Sequence, residues 1–351
     1  MKTKLLTGLF ILTGLYSNAQ LVLNNADKQP SSKYYKIVDR IHMPGEMGWD
    51  YCAIDEENNT LYVSHGTRVE VIDLKAGKLV DSILHTNGVH GIAIANDLNK
   101  GFISDGKDTA VTIFNLKTHA ILAKIIVTGK NPDAIVYDKT THRVFTFNGR
   151  SSNSTVIDAK TNTILGTIDL DGKPEFCVAD GTGKLFVNIE DKSNIAEIDA
   201  GTMKVLKEWS IKPGESPSGL AMDTKNHRLF SVCDNHLMVI SDAEKGSVIT
   251  TVPIGEGPDA AAFDPEKMRI YSSNGEGYLT VVSDSADTYK VLETFKTQNK
   301  ARTMTIDTKT HHLYLPVGFP KPLPPVRAAA ERPKPSIKDG TFVVMDIETV
   351  E

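Results

Sequence analysis

Seven positions recur along this chain at intervals of 40 to 43 residues and carry polar, mostly ionisable side chains: Asp50, His90, Asp133, Glu175, Ser218, Asp259 and Arg302. Each stands five residues before the Asp, or its equivalent, that ends a short apolar run, as Asp133 stands before Asp138. Four carboxylates, one imidazole and one guanidinium at equivalent places in repeated units describe a ring around one opening. Converging oxygen donors suit a divalent cation such as calcium or magnesium, a cationic ligand, or a hydroxylated one. The competing reading is a solvated rim in which Arg302 offsets its carboxylate neighbours. Asp133 and Asp259 also follow prolines, and in Pro-Asp turns the carboxylate accepts from backbone amides two residues on. Both readings stay open on these residues alone.

The histidines offer a second chemistry. His65 and His90 fall in neighbouring units, with Asp50 and Asp105 close in the pattern, and imidazole with carboxylate is a usual ligand set for zinc or iron. The candidate metal ligands are His65, His90, Asp133, Glu175 and Asp259, although no His-Glu-x-x-His spacing accompanies them. Trp49, beside the ring, either floors a ligand pocket or packs between units. His142, His227 and the pair His311-His312 precede the second strand of their units, which places them in turns at the opposite end. There is no Gly-x-Ser-x-Gly elbow, no Gly-Lys-Ser/Thr phosphate loop and no Cys-x-x-Cys-His haem attachment.

The elements that carry the ring keep the same beat. An apolar pair followed by Asp or Asn recurs as Val71-Ile72-Asp73, Ile113-Phe114-Asn115, Val156-Ile157-Asp158 and Glu197-Ile198-Asp199, then more loosely up to Asp242 and Asp284, and last as Val343-Val344-Met345-Asp346. Spacings are 41 to 43 residues until the last, which is 62. A second landmark runs Leu61-Tyr62-Val63-Ser64, Gly101-Phe102-Ile103-Ser104, Val144-Phe145-Thr146-Phe147, Leu185-Phe186-Val187-Asn188, Leu229-Phe230-Ser231-Val232, Ile270-Tyr271-Ser272-Ser273 and Leu313-Tyr314-Leu315-Pro316. Seven copies of both make a repeat architecture. Each unit reads as four short β-rich runs separated by Gly, Asn, Asp and Lys-Thr turns, which is a propeller blade. The expectation is an all-β, seven-bladed β-propeller of four-stranded blades. The seventh unit ends after its third strand, so the run Tyr35-Lys36-Ile37-Val38-Asp39-Arg40-Ile41 is expected to supply the fourth and close the ring.

Composition bounds the rest. A formal charge of −5 and a pI near 6.1 over 351 residues give no diffuse attraction to phosphate backbones or anionic membranes, so nucleic acid is not favoured as a partner. The three cysteines, Cys52, Cys177 and Cys233, sit in apolar strand patterns and read as packing residues. Residues 1–19 combine Lys2 and Lys4, an apolar run from Leu5 to Tyr16 and small residues ending at Ala19, the pattern of a cleaved secretory signal. That run is too short to span a bilayer core of roughly 30 Å. The expected organisation is therefore a signal peptide over 1–19, an N-terminal extension over 20–33 and the propeller over 34–351, exported to the periplasm or secreted and most simply monomeric. The late seventh unit carries the one departure from the repeat, an insertion over 316–338 holding seven prolines. Proline-rich chain is stiff, and by position it reads as a lid or partner-binding arm over the ring, or as a floppy loop.

Gly-x-x-Pro-Asp before the inner strand, Leu-Tyr-Val-Ser on the second and Val-Ile-Asp on the third resemble the YVTN-repeat family, and more closely its periplasmic YncE-type propellers, over essentially the whole of the expected mature chain. The resemblance implies the fold, with a kinship of architecture to WD40-like propellers, and a proline-rich stretch near the C-terminus. Such propellers host binding proteins, electron-transfer partners and lyases, and some are associated with single-stranded DNA, which the acidic ring here disfavours. The leading expectation is a non-enzymatic binding or scaffold propeller that holds a small ligand or protein at the channel mouth. The alternative is a metal-assisted lyase or lactonase-like hydrolase at the same mouth. Redox partnership with a haem or quinoprotein rests on fold analogy.

Overall fold

One residue type builds the turns of nearly every unit. Asp55 ends an inner strand, and its Oδ1 accepts from the backbone N–H groups of Glu57 and Asn58, each at 3.1 Å. Asp73, which closes the first Val-Ile-Asp landmark, does the same for Lys75 and Ala76 at 2.9 and 3.0 Å. Asp158, Asp223, Asp242 and Asp264 repeat the device. The short carboxylate supplies the acceptor that the reversing backbone lacks. Before the second strand comes a residue in the left-handed conformation: Asn59, Asn99, His142, His227 and His311, with φ of 52°, 52°, 52°, 55° and 63°. Asn and His are among the side chains that tolerate this region. His142, His227 and His311 are thus turn residues, as their positions in the repeat imply.

The computed structural model describes residues 32–285, 288–321 and 336–350. The signal-peptide reading, the Ala19 cleavage and nearly all of the 20–33 extension lie outside the described residues, as do residues 322–335 of the insertion. The described strands form seven four-stranded antiparallel sheets. Blades 1 to 6 occupy 49–84, 89–126, 132–169, 174–210, 217–253 and 258–296. Blade 7 takes Thr305–Asp307, His312–Val317 and Val343–Thr349, and its outer strand is Tyr35–His42 from the other end of the chain.

Closure follows from that last pairing. Tyr35 lies opposite Thr349 and His42 opposite Val343. The Tyr35 ring packs on Tyr271 and Phe295 with centroids 6.1 and 6.0 Å apart, and its hydroxyl accepts from Arg269 at 2.9 Å. A full ring leaves no unpaired sheet between first and last blade to recruit other chains.

The core lies between blades. The aromatic of the second-strand landmark is fully buried in five of them, as Tyr62, Phe102, Phe145, Phe230 and Tyr271. One cluster joins Phe102, Val111 and Ile113 of blade 2 to Val144 and Ile157 of blade 3, and another joins Tyr271 and Leu279 of blade 6 to Leu313, Leu315 and Met345 of blade 7. Each such side chain contributes roughly 2 kcal/mol when buried. A blade in isolation would leave both of its apolar faces in water, so only the stacked ring is stable. Cys177 and Cys233 belong to this packing, and burial pushes the Cys233 thiol up to about 12. All three cysteines are free thiols.

The base of the proline-rich insertion is docked. Pro320 bridges Ile337, the Ile337 N–H donates to the Glu46 carbonyl at 2.8 Å, and Lys321 pairs with the Glu46 carboxylate. The insertion therefore leaves and rejoins blade 7 beside the loop that leads into the innermost strand of blade 1. Among the described residues, no helix is long and apolar enough to cross a membrane.

Candidate functional site at the channel mouth

In blades 1 to 6 the innermost strand pairs with the second through a register break near its start. The breaks fall between Trp49 and Cys52, Val89 and Ile92, Pro132 and Ile135, Pro174 and Cys177, Pro217 and Leu220, and Pro258 and Ala260. Asp50, His90, Asp133, Glu175, Ser218 and Asp259 lie inside them. A bulge frees a residue from strict alternation and re-aims its side chain. Here it brings Asp50, Asp133, Glu175, Ser218 and Asp259, together with Arg302 of blade 7, to the wall of one cavity of about 370 Å³.

The fourth residue of the second-strand landmark holds these bulges in place. The Ser64 hydroxyl accepts from the Asp50 N–H at 2.9 Å. Ser104 accepts from the Gly91 N–H at 2.8 Å and donates across the blade boundary to the Asp133 carbonyl at 2.5 Å. Asn188 donates to the Ser218 and Gly219 carbonyls of the next blade at 3.0 and 3.1 Å, and accepts from Ser231 at 2.9 Å. Ser273 donates to the Arg302 carbonyl. Blades 2, 4 and 6 thus each hold the backbone of the ring residue that follows. All four anchors are fully buried, so these bonds carry no competition from water.

Within the ring, charges are paired locally. His90 Nδ1 lies 2.6 Å from Asp50 Oδ2 and 3.7 Å from Asp133 Oδ1. Arg302 pairs with Asp259 and reaches Asp50 at 3.8 Å. Lys173 holds Glu175 at 2.6 Å and also pairs with Glu190. Ser218 donates to the Pro258 carbonyl at 3.0 Å. Glu190 and Asp234, from the loops between second and third strands, complete an acidic lining.

Burial dominates the titration of this wall. It pushes Asp133, Glu175 and Asp259 up to about 7, against the pull of His90, Lys173 and Arg302 respectively. Neighbouring carboxylates add to the rise, since like charges in one cavity disfavour ionisation. Asp234 is raised by burial and then by Glu190. Burial thus favours the neutral form of all three carboxyls relative to exposed ones, and a carboxyl in that form can donate as well as accept.

Tyr51 is the residue that sequence reasoning missed. It lines the cavity, and its ring meets Phe176 edge-on with centroids 5.4 Å apart. Blades 1 and 4 are not neighbours, so this contact reaches across the central channel. Burial first, then Asp133, Asp50, Glu175 and Asp259, hold the phenol well above its ordinary pKa. It makes no hydrogen bond among the described residues. A signal was present: Tyr51 and Phe176 directly follow ring residues where other units have Gly91, Ala134, Gly219 and Ala260.

No protein-family model matches the chain. It is 22% identical over 226 residues to the uncharacterised protein YncE of Salmonella typhimurium, covering 60% of this chain and 63% of that one. It is 26% identical over 194 residues to Antigen Lp49 of Leptospira interrogans, covering 52% of this chain and 42% of the relative. The match thus spans less than two thirds of either curated relative. Among solved structures, the WD40 repeats of RRP9 superpose with a TM-score of 0.75 at 10% identity, over 92% of this chain and 99% of that one, which is a likeness of fold. The chain is similar in sequence to YncE-type proteins and has the fold of a seven-bladed propeller.

Two expectations need correction. His65 does not approach His90: its Nδ1 binds Glu70 at 2.7 Å in the core of blade 1, and its ring lies 4.5 Å from Phe342. Asp105 is likewise engaged elsewhere, with Thr112 at 2.6 Å and Lys124 at 3.0 Å. Of the two readings of Trp49, packing between units holds: it stacks on Phe342 at 5.6 Å between blades 7 and 1, and Tyr51 lines the cavity. The second concerns the carboxylates grouped for one ion, Asp133, Glu175 and Asp259. Glu175 and Asp259 are drawn to Lys173 and Arg302, and among the described residues the set whose ligand atoms lie within 4.8 Å of one another is Asp50, His90 and Asp133.

Proposed function

We propose that this chain is an exported, non-enzymatic binding propeller whose channel mouth holds a small cationic or hydroxylated ligand. The observation that carries the reading is the convergence of six carboxyl groups, Asp50, Asp133, Glu175, Glu190, Asp234 and Asp259, on a cavity that Tyr51 also lines. Small-molecule sites are concave, few, and lined by a handful of convergent polar groups. Export rests on the pattern of residues 1–19, and a protein partner reaching the mouth would meet the proline-rich insertion anchored at Glu46. The test is a set of thermal melts of the purified chain against amines, sugars and divalent ions. A saturable rise in Tm with one class, lost in Asp133→Asn, supports the reading; no shift with any class, in a protein that melts cooperatively, overturns it.

One observation favours a second reading. Asp50, His90 and Asp133 bring an imidazole and two carboxylates from three successive blades within reach of one ion. Calcium or magnesium there would polarise a carbonyl or stabilise an enolate, the task of a metal-assisted lyase or lactonase-like hydrolase. Elemental analysis together with melts in the presence of a chelator decides it: stoichiometric metal and a chelator-sensitive Tm favour the enzyme, and metal-free protein with an unchanged Tm excludes it.

A further inference from the structure

We infer that the ligand of this mouth is a linear organic polyamine, a di- or triamine with one ammonium seated at Asp50 and Asp133 and another toward Asp234 and Glu190. This rests on the binding reading above and names the class of ligand.

Charge comes first. Six carboxyls line the cavity, and the cations placed against them are Arg302 and Lys173, with His90 as a third when protonated. Asp50 and Asp133 share the imidazole of His90, with Arg302 reaching Asp50 only at 3.8 Å while it pairs with Asp259, and Asp234 makes no ion pair among the described residues. The wall is therefore short of positive charge in two separate places, on opposite sides of the Lys173 and Arg302 pairs. One point charge answers one of these places, whereas a chain with an ammonium at each end answers both.

Volume argues the same way. At roughly 30 Å³ per water, a cavity of about 370 Å³ has room for about a dozen waters. An ion with an inner shell of about six ligands would leave much of that space as liquid. Methylene segments between two ammonium groups would fill it and lie against the Tyr51 face, which is backed by Phe176. The Tyr51 hydroxyl is free to accept from an ammonium, and an aromatic face also attracts cations. By contrast, the 2.6 Å approach of His90 Nδ1 to Asp50 is a hydrogen bond that bridges the two groups by a proton, and a metal at that point must displace it.

The experiment is isothermal titration of the purified full chain at fixed salt with putrescine, spermidine, 1,4-butanediol, and calcium, magnesium or zinc chloride. The expected result is saturable, one-to-one binding of spermidine, tighter than putrescine, and no heat from the diol. Asp133→Asn should weaken spermidine about tenfold or more, as loss of a charge-assisted contact does. Tyr51→Phe should weaken it by a smaller factor while leaving the melt unchanged. Binding of the diol or a sugar with the amines silent overturns the amine assignment and keeps the mouth as a ligand site. A divalent ion that binds alone, with binding lost in His90→Ala, overturns it in favour of metal. Amine binding at several equivalents, indifferent to Asp133→Asn, is surface attraction and also overturns it. Silence from every ligand removes both the amine and the binding reading.

Discussion

Tyr51 of blade 1 and Phe176 of blade 4 meet edge to face across the central channel, their ring centroids 5.4 Å apart. Aromatic pairs of this geometry add about 1 kcal/mol beyond the area they bury, and Phe176 also packs against the cluster between blades 4 and 5. Phe176→Ala should cost about 2 kcal/mol, less than for a fully enclosed ring, and lower the Tm by several degrees with the propeller's circular dichroism retained. An unchanged melt would show that the pair is not a packing contact.

The acidic wall makes stability depend on pH. Asp133, Glu175 and Asp259 titrate near 7 in the folded chain and at about 4 when unfolded. Between these values the folded chain holds protons that the unfolded chain has released. Stability is thus greatest at the acidic end and declines as pH rises from about 4 through about 7. Tm should be higher at about pH 5.5 than at about pH 8, and Asp133→Asn with Glu175→Gln should flatten that slope. Glu70 has the opposite shift, held low by His65, Ser82 and Arg68 in spite of its burial. Its contribution is lost only as pH falls below the usual carboxylate range, outside this window. A Tm that rises steadily from pH 5.5 to 8 would contradict the assignment.

Asp133→Ala combined with Glu175→Ala should leave the fold intact, because both side chains face the cavity and neither belongs to a core cluster. Scanning calorimetry checks this. Loss of the cooperative transition would show that the ring holds the blades together.

Asn188 is a different case. It is fully buried and links Ser218, Gly219 and Ser231 of the following blade by three hydrogen bonds. Asn188→Ala strands those partners and should cost about 3 kcal/mol. A shift of the urea midpoint without a change in slope would be the sign of a simple loss of stability.

Ring closure can be probed at Tyr35, which is 2% exposed against Tyr271, Phe295 and Arg269. Tyr35→Ala should destabilise by about 3 kcal/mol, whereas Val38→Ala, at an exposed position of the same strand, should change Tm little. Equal effects from both would indicate that closure does not depend on this packing.

The repeat determined a great deal by itself. Strand spacing, the Asx turns at Asp55 and Asp73, blade count, closure by Tyr35–His42 and the positions of the ring residues all follow from local pattern. Periodic hydrophobicity and turn chemistry act over a few residues, and seven equivalent units then leave one way to bury both faces of each blade. What the tertiary structure decided is which polar groups meet. His65 and His90 look alike in sequence, yet one binds Glu70 in a core and the other binds Asp50 at the mouth. Tyr51 and Phe176 are 125 positions apart and touch because the ring curves them onto opposite sides of one channel. Spacing along the chain fixes the blade and height of a side chain, but its partner depends on the bulge that re-aims it and on the residue the neighbouring blade presents.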